Sequence, residues 1–161
     1  MKNDELRALV LVPIILAAAL TAYQGFSPKR PAEVFSELAI LGPNMKAADY
    51  PRELLVGQEF DLYLYVGNHE GRATYYMILV KLGNGLDFIN ETVPMNAPVL
   101  KEYDRVLASG ETWINPVTLS VNQTGVNLRL VFEMWIYNEQ LNDFRYYGRW
   151  NQLWLNVTAP S

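Results

Sequence analysis

The sequence predicts an all-β domain, an immunoglobulin-like or fibronectin-like antiparallel β-sandwich of about seven strands, preceded by one N-terminal transmembrane α-helix. Two observations predict the sandwich. Apolar and polar residues alternate in most segments after residue 35, and turn residues separate those segments. A third observation, an uncharged stretch at residues 8–28, predicts the helix. An open barrel is the alternative arrangement of the same strands.

Composition limits the classes of function. The chain has 161 residues, which allows one domain with its own core, and its net charge is −4. The 13 Lys and Arg residues are scattered, so no basic stripe predicts a nucleic-acid partner. The absence of cysteine excludes disulfides, thiolate nucleophiles and zinc-thiolate sites, and there is one histidine.

The N-terminal region reads as a membrane anchor. Residues 8–28 carry no charge and are long enough, as a helix, to cross the hydrocarbon core. The predicted division is a cytoplasmic stub at 1–7, the helix at 8–28, a linker at 29–34 and an extracytoplasmic domain at 35–161. A signal peptide cleaved near Ala19 is the alternative, but Lys2 and Arg7 are balanced by Asp4 and Glu5, which favours an uncleaved anchor.

Glycosylation sequons favour one orientation of the predicted helix. Two basic residues flank the helix on each side, so the positive-inside rule does not decide. Three sequons begin at Asn90, Asn122 and Asn156, all in the predicted domain, where composition alone gives about one. Together with the short stub, they favour a cytoplasmic N-terminus and an extracytoplasmic domain that carries N-glycans. Ordinary polar residues at strand ends are the alternative.

Alternation places the strands. We predict strands at residues 35–41, 59–66, 74–82, 113–121, 127–137 and 150–158, with one or two short strands between 86 and 107. The turn Gly67-Asn-His-Glu-Gly71 predicts that strands 59–66 and 74–82 are antiparallel neighbours. Residues 87–105 are irregular and contain Pro94 and Pro98, so we expect an insertion at one sheet edge.

Several short motifs resemble a known family. They are Leu41-Gly-Pro-Asn-Met-Lys-Ala-Ala-Asp-Tyr-Pro51, Leu55-Val-Gly57, Val66-Gly-Asn-His-Glu70, Ser109-Gly-Glu-Thr-Trp113 and Trp154-Leu-Asn-Val157. Together they resemble the extracytoplasmic C-terminal domain of an archaeal membrane-protein family of unknown function. The resemblance implies an archaeal, membrane-tethered, immunoglobulin-like module and carries over no catalytic residue. Many such members have several transmembrane helices before the domain, whereas this chain has one predicted helix.

No residue pattern predicts catalysis or a cofactor. His69 and Glu70 are adjacent, and neighbours in a strand or turn point apart, so we expect a structural turn and not a general base or metal site. The acidic cluster at 102–104 lacks the spacing of a calcium loop. We therefore predict a protein that is not an enzyme, with no catalytic residues, metal ligands or cofactor.

One sheet face is the predicted binding surface. If Phe132 and Met134 point inward, the same alternation turns several large apolar residues outward on strands expected to share one sheet. These are the candidate partner-binding residues Met77, Leu79, Trp135, Tyr137 and Trp154. Tyr and Trp recur at binding hot spots. The alternative is that the 87–105 insertion covers this face, and a smaller possibility is that a carbohydrate stacks on the rings.

The leading hypothesis is a non-catalytic, single-pass accessory subunit of an archaeal membrane complex. Residues 8–28 would contact lipid, and the aromatic face would contact another subunit. A cell-surface binding module for glycan or an envelope protein is the alternative, and a hydrolase or metalloenzyme centred on His69 is the third possibility.

Overall fold

The computed structural model describes residues 33–160 together with Pro13, Ala17 and Thr21, which are helical. The chain divides into two compact units, Met1–Glu33 and Val34–Ser161. Within the described residues no helix has both the length and the hydropathy to span a membrane. Most of the predicted span at 8–28 lies outside the described residues, so the transmembrane helix stays a prediction.

The described part contains eight strands. They are β1 Phe35–Leu41, β2 Glu53–Leu55, β3 Glu59–His69, β4 Thr74–Gly83, β5 Val99–Leu107, β6 Thr112–Ser120, β7 Gly125–Asn138 and β8 Asp143–Thr158. Each predicted strand is present, and β1 has the predicted bounds. The short β2 was not predicted, and the last strand begins at residue 143 instead of 150.

The strands form two sheets that share one core. The smaller sheet has the order β1-β3-β6, and the larger has the order β2-β8-β7-β4-β5. All pairs are antiparallel except β2 and β8, which are parallel. The predicted pairing of 59–66 with 74–82 is wrong: β3 and β4 belong to different sheets, and the turn between them carries the chain across the sandwich.

Asn68 fixes this crossing. Its side chain is fully buried, and its Nδ2 donates to the carbonyl oxygens of Arg72, Leu107 and Ala108 at 2.8–3.1 Å. Its Oδ1 accepts from the backbone N–H of Glu70 at 2.9 Å. The side-chain amide of Asn68 therefore bonds to backbone groups in the β3–β4 connection and at the end of β5. Those groups would otherwise be buried without partners.

The core follows the predicted alternation. The inward residues of both sheets pack into one cluster, including Phe60, Leu62, Leu64, Val66, Tyr76, Ile78, Val80, Val117, Leu119, Leu128, Leu130, Phe132, Met134, Leu155 and Val157. Each of these side chains is buried. At about 1.5–3 kcal/mol for each buried large apolar side chain, this layer supplies the main driving force for the sandwich.

The irregular segment separates into two parts. Residues 99–107 form β5, which pairs with β4 at the edge of the larger sheet, so the second half of the segment predicted to be irregular is a regular strand. Residues 87–98, here called the lid, have no strand or helix and cross the face of the larger sheet that points away from the core. We call this the outer face, and the lid divides it.

Candidate binding surface on the outer face

Strand register places the outward side chains in rows. Met77 lies opposite Trp135, which lies opposite Tyr146. The next row joins Leu79, Glu133 and Trp150, and the one after joins Lys81, Val131 and Gln152. The last row joins Gly83, Arg129 and Trp154. The predicted common sheet of β4, β7 and β8 is thus present.

The lid covers the middle rows with a small apolar core of its own. Ile89 and Met95 of the lid are buried against Val131, with Ala97 and Trp150 packed around them. Val131 has no exposed surface. The alternative in which the insertion covers the predicted surface is therefore realised, but only for the centre of the face.

A buried ion pair fastens the lid. Lys81 Nζ lies 2.9 Å from Glu133 Oε2, with side chains 9% and 0% exposed. Lys81 also donates to the carbonyl oxygen of Met95 at 2.8 Å, and the Met95 N–H donates to Glu133 Oε1 at 2.6 Å. Trp135 Nε1 donates to Glu133 Oε2 at 3.2 Å. Because both charges are paired and bonded, their burial is tolerated, and the backbone of the lid gains fixed partners.

Three further contacts hold the lid. The Tyr146 hydroxyl donates to the carbonyl oxygen of Asn90 at 2.9 Å, and Arg129 donates to that of Asp87 at 2.8 Å. Gly148 has φ +75°, and an added Cβ would lie 2.3 Å from the carbonyl oxygen of Glu91. Only glycine lets β8 approach the lid this closely.

Burial, and to a smaller degree the Glu133 charge, raises the pKa of Tyr146 to about 12.

One end of the outer face remains uncovered by the lid. We call it the aromatic strip and define it as Tyr75, Met77, Trp135, Tyr137 and Phe144, all of them half-buried. The ring centroid of Phe144 lies 4.9 Å from that of Tyr75 and 5.4 Å from that of Tyr137, both edge-on. Tyr75 donates to Asp104 at 2.8 Å and Tyr137 to Asn142 at 2.6 Å, so both rings are held in place.

Four of the five predicted partner-binding residues lie close together. Met77, Trp135 and Tyr137 belong to the strip, and Leu79 lies in the next row, opposite Glu133. Trp154 is separate: it lies at the far end of the face, beyond the lid, and is 42% exposed. Their role in binding a partner stays a prediction.

Sequence reasoning missed Phe144 and Tyr146. The prediction starts the last strand at residue 150, whereas β8 begins at Asp143. In the structure two extra residues, Tyr147 and Gly148, form a bulge, with Trp135 opposite Tyr146 and Met134 opposite Arg149. An insertion of two leaves the alternation unchanged, so the even-numbered aromatic residues from 144 to 154 were the available signal.

The adjacent side chains of His69 and Glu70 point in different directions, as expected. His69 stacks on Phe35 with centroids 4.6 Å apart, and its Nε2 lies 3.5 Å from Glu37. Glu70 turns inward and accepts hydrogen bonds from Ser36 at 2.7 Å and Tyr147 at 2.6 Å. In the part of the chain that the structure describes, no three His, Asp or Glu residues are grouped for a metal ion.

The three sequon asparagines differ in environment. Asn122 is exposed in the turn between β6 and β7. Asn90 lies in the lid, where its Oδ1 accepts from the N–H groups of Thr92 and Val93. Asn156 accepts from the N–H of Asn127 and donates to Glu53. Their glycosylation stays a prediction, and Asn122 is the most accessible of the three.

Comparison with solved structures supports the fold. The CARDB domain of a Pyrococcus furiosus protein, solved in complex with di-metal ions, matches with a TM-score of 0.51 at 12% identity, covering 82% of this chain and 100% of that one. A β-glucosidase from Listeria innocua matches with a TM-score of 0.47 at 13% identity, covering 77% of this chain and 16% of that one. A sporulation control protein from Bacillus subtilis matches with a TM-score of 0.45 at 8% identity, covering 78% and 50%. The first likeness shows an immunoglobulin-like fold and nothing of function.

Sequence comparison gives the family. No curated protein matches the chain. The model of a domain of unknown function, DUF1616, matches residues 28–156, which is most of the chain. The predicted resemblance to a family of unknown function is confirmed, and the chain belongs to the DUF1616 family.

Proposed function

We propose that this chain is a non-catalytic binding module that holds a partner protein through the aromatic strip. The observation that carries the proposal is the strip itself. Five large apolar side chains lie side by side at the uncovered end of a sheet face whose centre has its own lid. Aromatic residues bury large areas with little loss of rotamer freedom, and they dominate binding hot spots.

The strip is also preorganised. The hydrogen bonds to Asp104 and Asn142 and the edge-on packing around Phe144 fix the rings before a partner arrives. Side chains that are already ordered lose less entropy on binding, which favours affinity. The immunoglobulin-like fold supplies a rigid sheet as the platform.

The proposal includes a place in the cell. We propose that residues 8–28 anchor the chain in an archaeal membrane and that the domain faces outward, as an accessory subunit of a membrane complex. The uncharged stretch and the three sequons support this arrangement. A surface module for glycan or an envelope protein is the second candidate, favoured by the exposed Trp154 apart from the strip.

The test is co-purification from gently solubilised membranes through a C-terminal tag, followed by native mass spectrometry. We expect a stoichiometric partner, an intact mass that includes Met1, and glycan mass on the chain. The double variant Tyr137→Ser with Phe144→Ser should lose the partner. Ile114→Ser, which changes an exposed apolar residue of the smaller sheet, is the matched control and should keep it.

Three results would each count against a part of this proposal. The wild-type chain recovered alone, repeatedly and in good yield, would remove the subunit role. A partner that stays bound to the Tyr137 and Phe144 double variant would move the contact away from the strip. A chain shortened near residue 19 would remove the anchor.

A further inference from the structure

A groove lies at the other end of the outer face, beyond the lid. It encloses about 860 Å³, within the usual range of small-molecule sites. Its lining comes from the segment before β2, the loop after β4, and the ends of β7 and β8, including Arg52, Glu53, Asn127, Trp154 and Asn156. None of these residues belongs to the aromatic strip, so the groove is a separate feature.

An indole forms one wall of the groove. Trp154 is 42% exposed, and the guanidinium carbon of Arg129 lies 5.6 Å from its ring centroid. Arg129 is itself fixed, because it donates to Gln152 and to the carbonyl oxygen of Asp87. Gly85 approaches the ring edge, where a Cβ would lie 3.8 Å from the indole. The ring therefore has a set position while much of it faces solvent.

Hydrogen-bonding groups surround the indole. Asn156 is held by the N–H of Asn127 at 2.9 Å and by Glu53 at 2.7 Å, which fixes its amide. Asn127 has φ 54°, at an irregular pairing where β7 begins. Within the described residues the side chains of Asn127 and Arg52 make no hydrogen bond or ion pair of their own. The groove thus offers an amide and a guanidinium with donors available to a ligand.

This combination of groups selects a class of ligand. An apolar chain would leave the amides and charges of the groove without partners, which is costly. An anion would meet the Glu53 carboxylate beside Arg52. A pyranose ring instead has one face of C–H bonds that packs on an indole and a rim of hydroxyls that bond to amides, carboxylate and guanidinium. We propose that this groove binds a neutral carbohydrate, with Trp154 as the stacking platform and Arg52 and Asn127 bonding to its hydroxyls.

The experiment uses the full chain in detergent, produced without glycosylation so that its own sequons supply no sugar. Cellotriose, mannotriose and chitotriose are each titrated, with intrinsic tryptophan fluorescence and calorimetry as readouts. We expect saturable binding of at least one trisaccharide. Trp154→Ala should weaken that binding at least tenfold, and Arg52→Ala, which changes an exposed side chain, should weaken it at least threefold.

Matched variants separate this site from the strip. Trp135→Phe and the Tyr137 and Phe144 double variant should bind the trisaccharide with unchanged affinity, because their side chains lie on the other side of the lid. If Trp154→Ala fails to fold, as judged by circular dichroism, Arg52→Ala alone decides. The proposal is overturned if none of the three sugars binds, or if binding survives both groove variants, and neither outcome bears on the strip.

Discussion

The centre and the open end of the outer face differ in what covers them, although both follow the same alternation of apolar residues. Val131, at the centre, is buried under Ile89 and Met95 of the lid. Tyr137, six residues further along the same strand, is half-buried without the lid. An outward-facing apolar residue can therefore be covered by another segment of the same chain, as Val131 is by the lid, or be left open to a partner, as we propose for Tyr137.

The two parts differ in polar chemistry as well. The centre contains a buried ion pair whose charges bond to the backbone of the lid. The hydroxyls of the strip bond to exposed side chains at its margin, Asp104 and Asn142. We therefore expect substitutions at the centre to affect folding and substitutions at the open end to affect binding.

The largest effect should follow from breaking the ion pair. Glu133→Ala leaves the Lys81 ammonium buried without its partner and removes the acceptor of the Met95 N–H, so we expect a loss of about 4 kcal/mol in the free energy of unfolding. Urea unfolding followed by circular dichroism measures it. The double variant Lys81→Met with Glu133→Leu should lose much less, since no charge stays buried. Equal losses in the two proteins would mean that the pairing of charges is not what matters.

A second, smaller effect should follow from pushing the lid outward. Gly148→Ala combines a positive φ with a Cβ placed 2.3 Å from the carbonyl oxygen of Glu91. We expect a loss of about 3 kcal/mol and faster amide hydrogen exchange in residues 87–98. Gly71→Ala is the control, because Gly71 has φ +72° and open space around it. It should lose about 1 kcal/mol and leave exchange in the lid unchanged. Similar results for both variants would show that Gly148 matters through its φ alone.

The third effect compares the two parts directly. Val131→Ala removes two buried methyl groups and should lower the free energy of unfolding by about 2 kcal/mol while leaving the partner bound. Tyr137→Ala should lower it by about 1 kcal/mol, because the ring is half-exposed, and should release the partner. Denaturant unfolding and co-purification are measured on the same preparations. The proposed difference between the covered centre and the open end is contradicted if Val131→Ala releases the partner and Tyr137→Ala does not.

Most of the fold could be predicted because alternation is a local signal. The inward residues of β3, β4, β6 and β7 repeat at every second position, and each proved buried or half-buried. The three-residue β2 has no period to read, and its partner β8 lies about a hundred residues away. The wrong pairing of β3 with β4 has a similar cause. Gly67 to Gly71 signal a turn, but the Asn68 amide bonds that send the chain to the other sheet are long-range.

The candidate site was less predictable, since its extent depends on contacts between distant segments. The alternation of apolar residues placed Met77, Trp135 and Tyr137 on one sheet face, and the pairing of β4 with β7 brings them next to one another. The lid has no period, so nothing local shows that it crosses Val131. Lys81 and Glu133 are charged residues that interrupt the apolar residues at the outward positions of β4 and β7. That they form an ion pair becomes visible only once the strand register is known.

The smallest effect should appear at alkaline pH and again separates the covered centre from the open end. Burial, and to a smaller degree the charge of Glu133, raises the pKa of Tyr146 to about 12 from the ordinary 10.0. Between pH 10 and 12 the unfolded chain releases this proton while the folded chain retains it, so the stabilisation present below pH 10 is lost as pH rises. Tyr146→Phe should reduce this decline, besides losing about 1 kcal/mol at neutral pH with the hydrogen bond to Asn90. Tyr137→Phe, which changes a hydroxyl of the strip, should retain the decline. An unchanged slope in Tyr146→Phe would mean that the contact between Tyr146 and the lid opens before the rest of the domain unfolds.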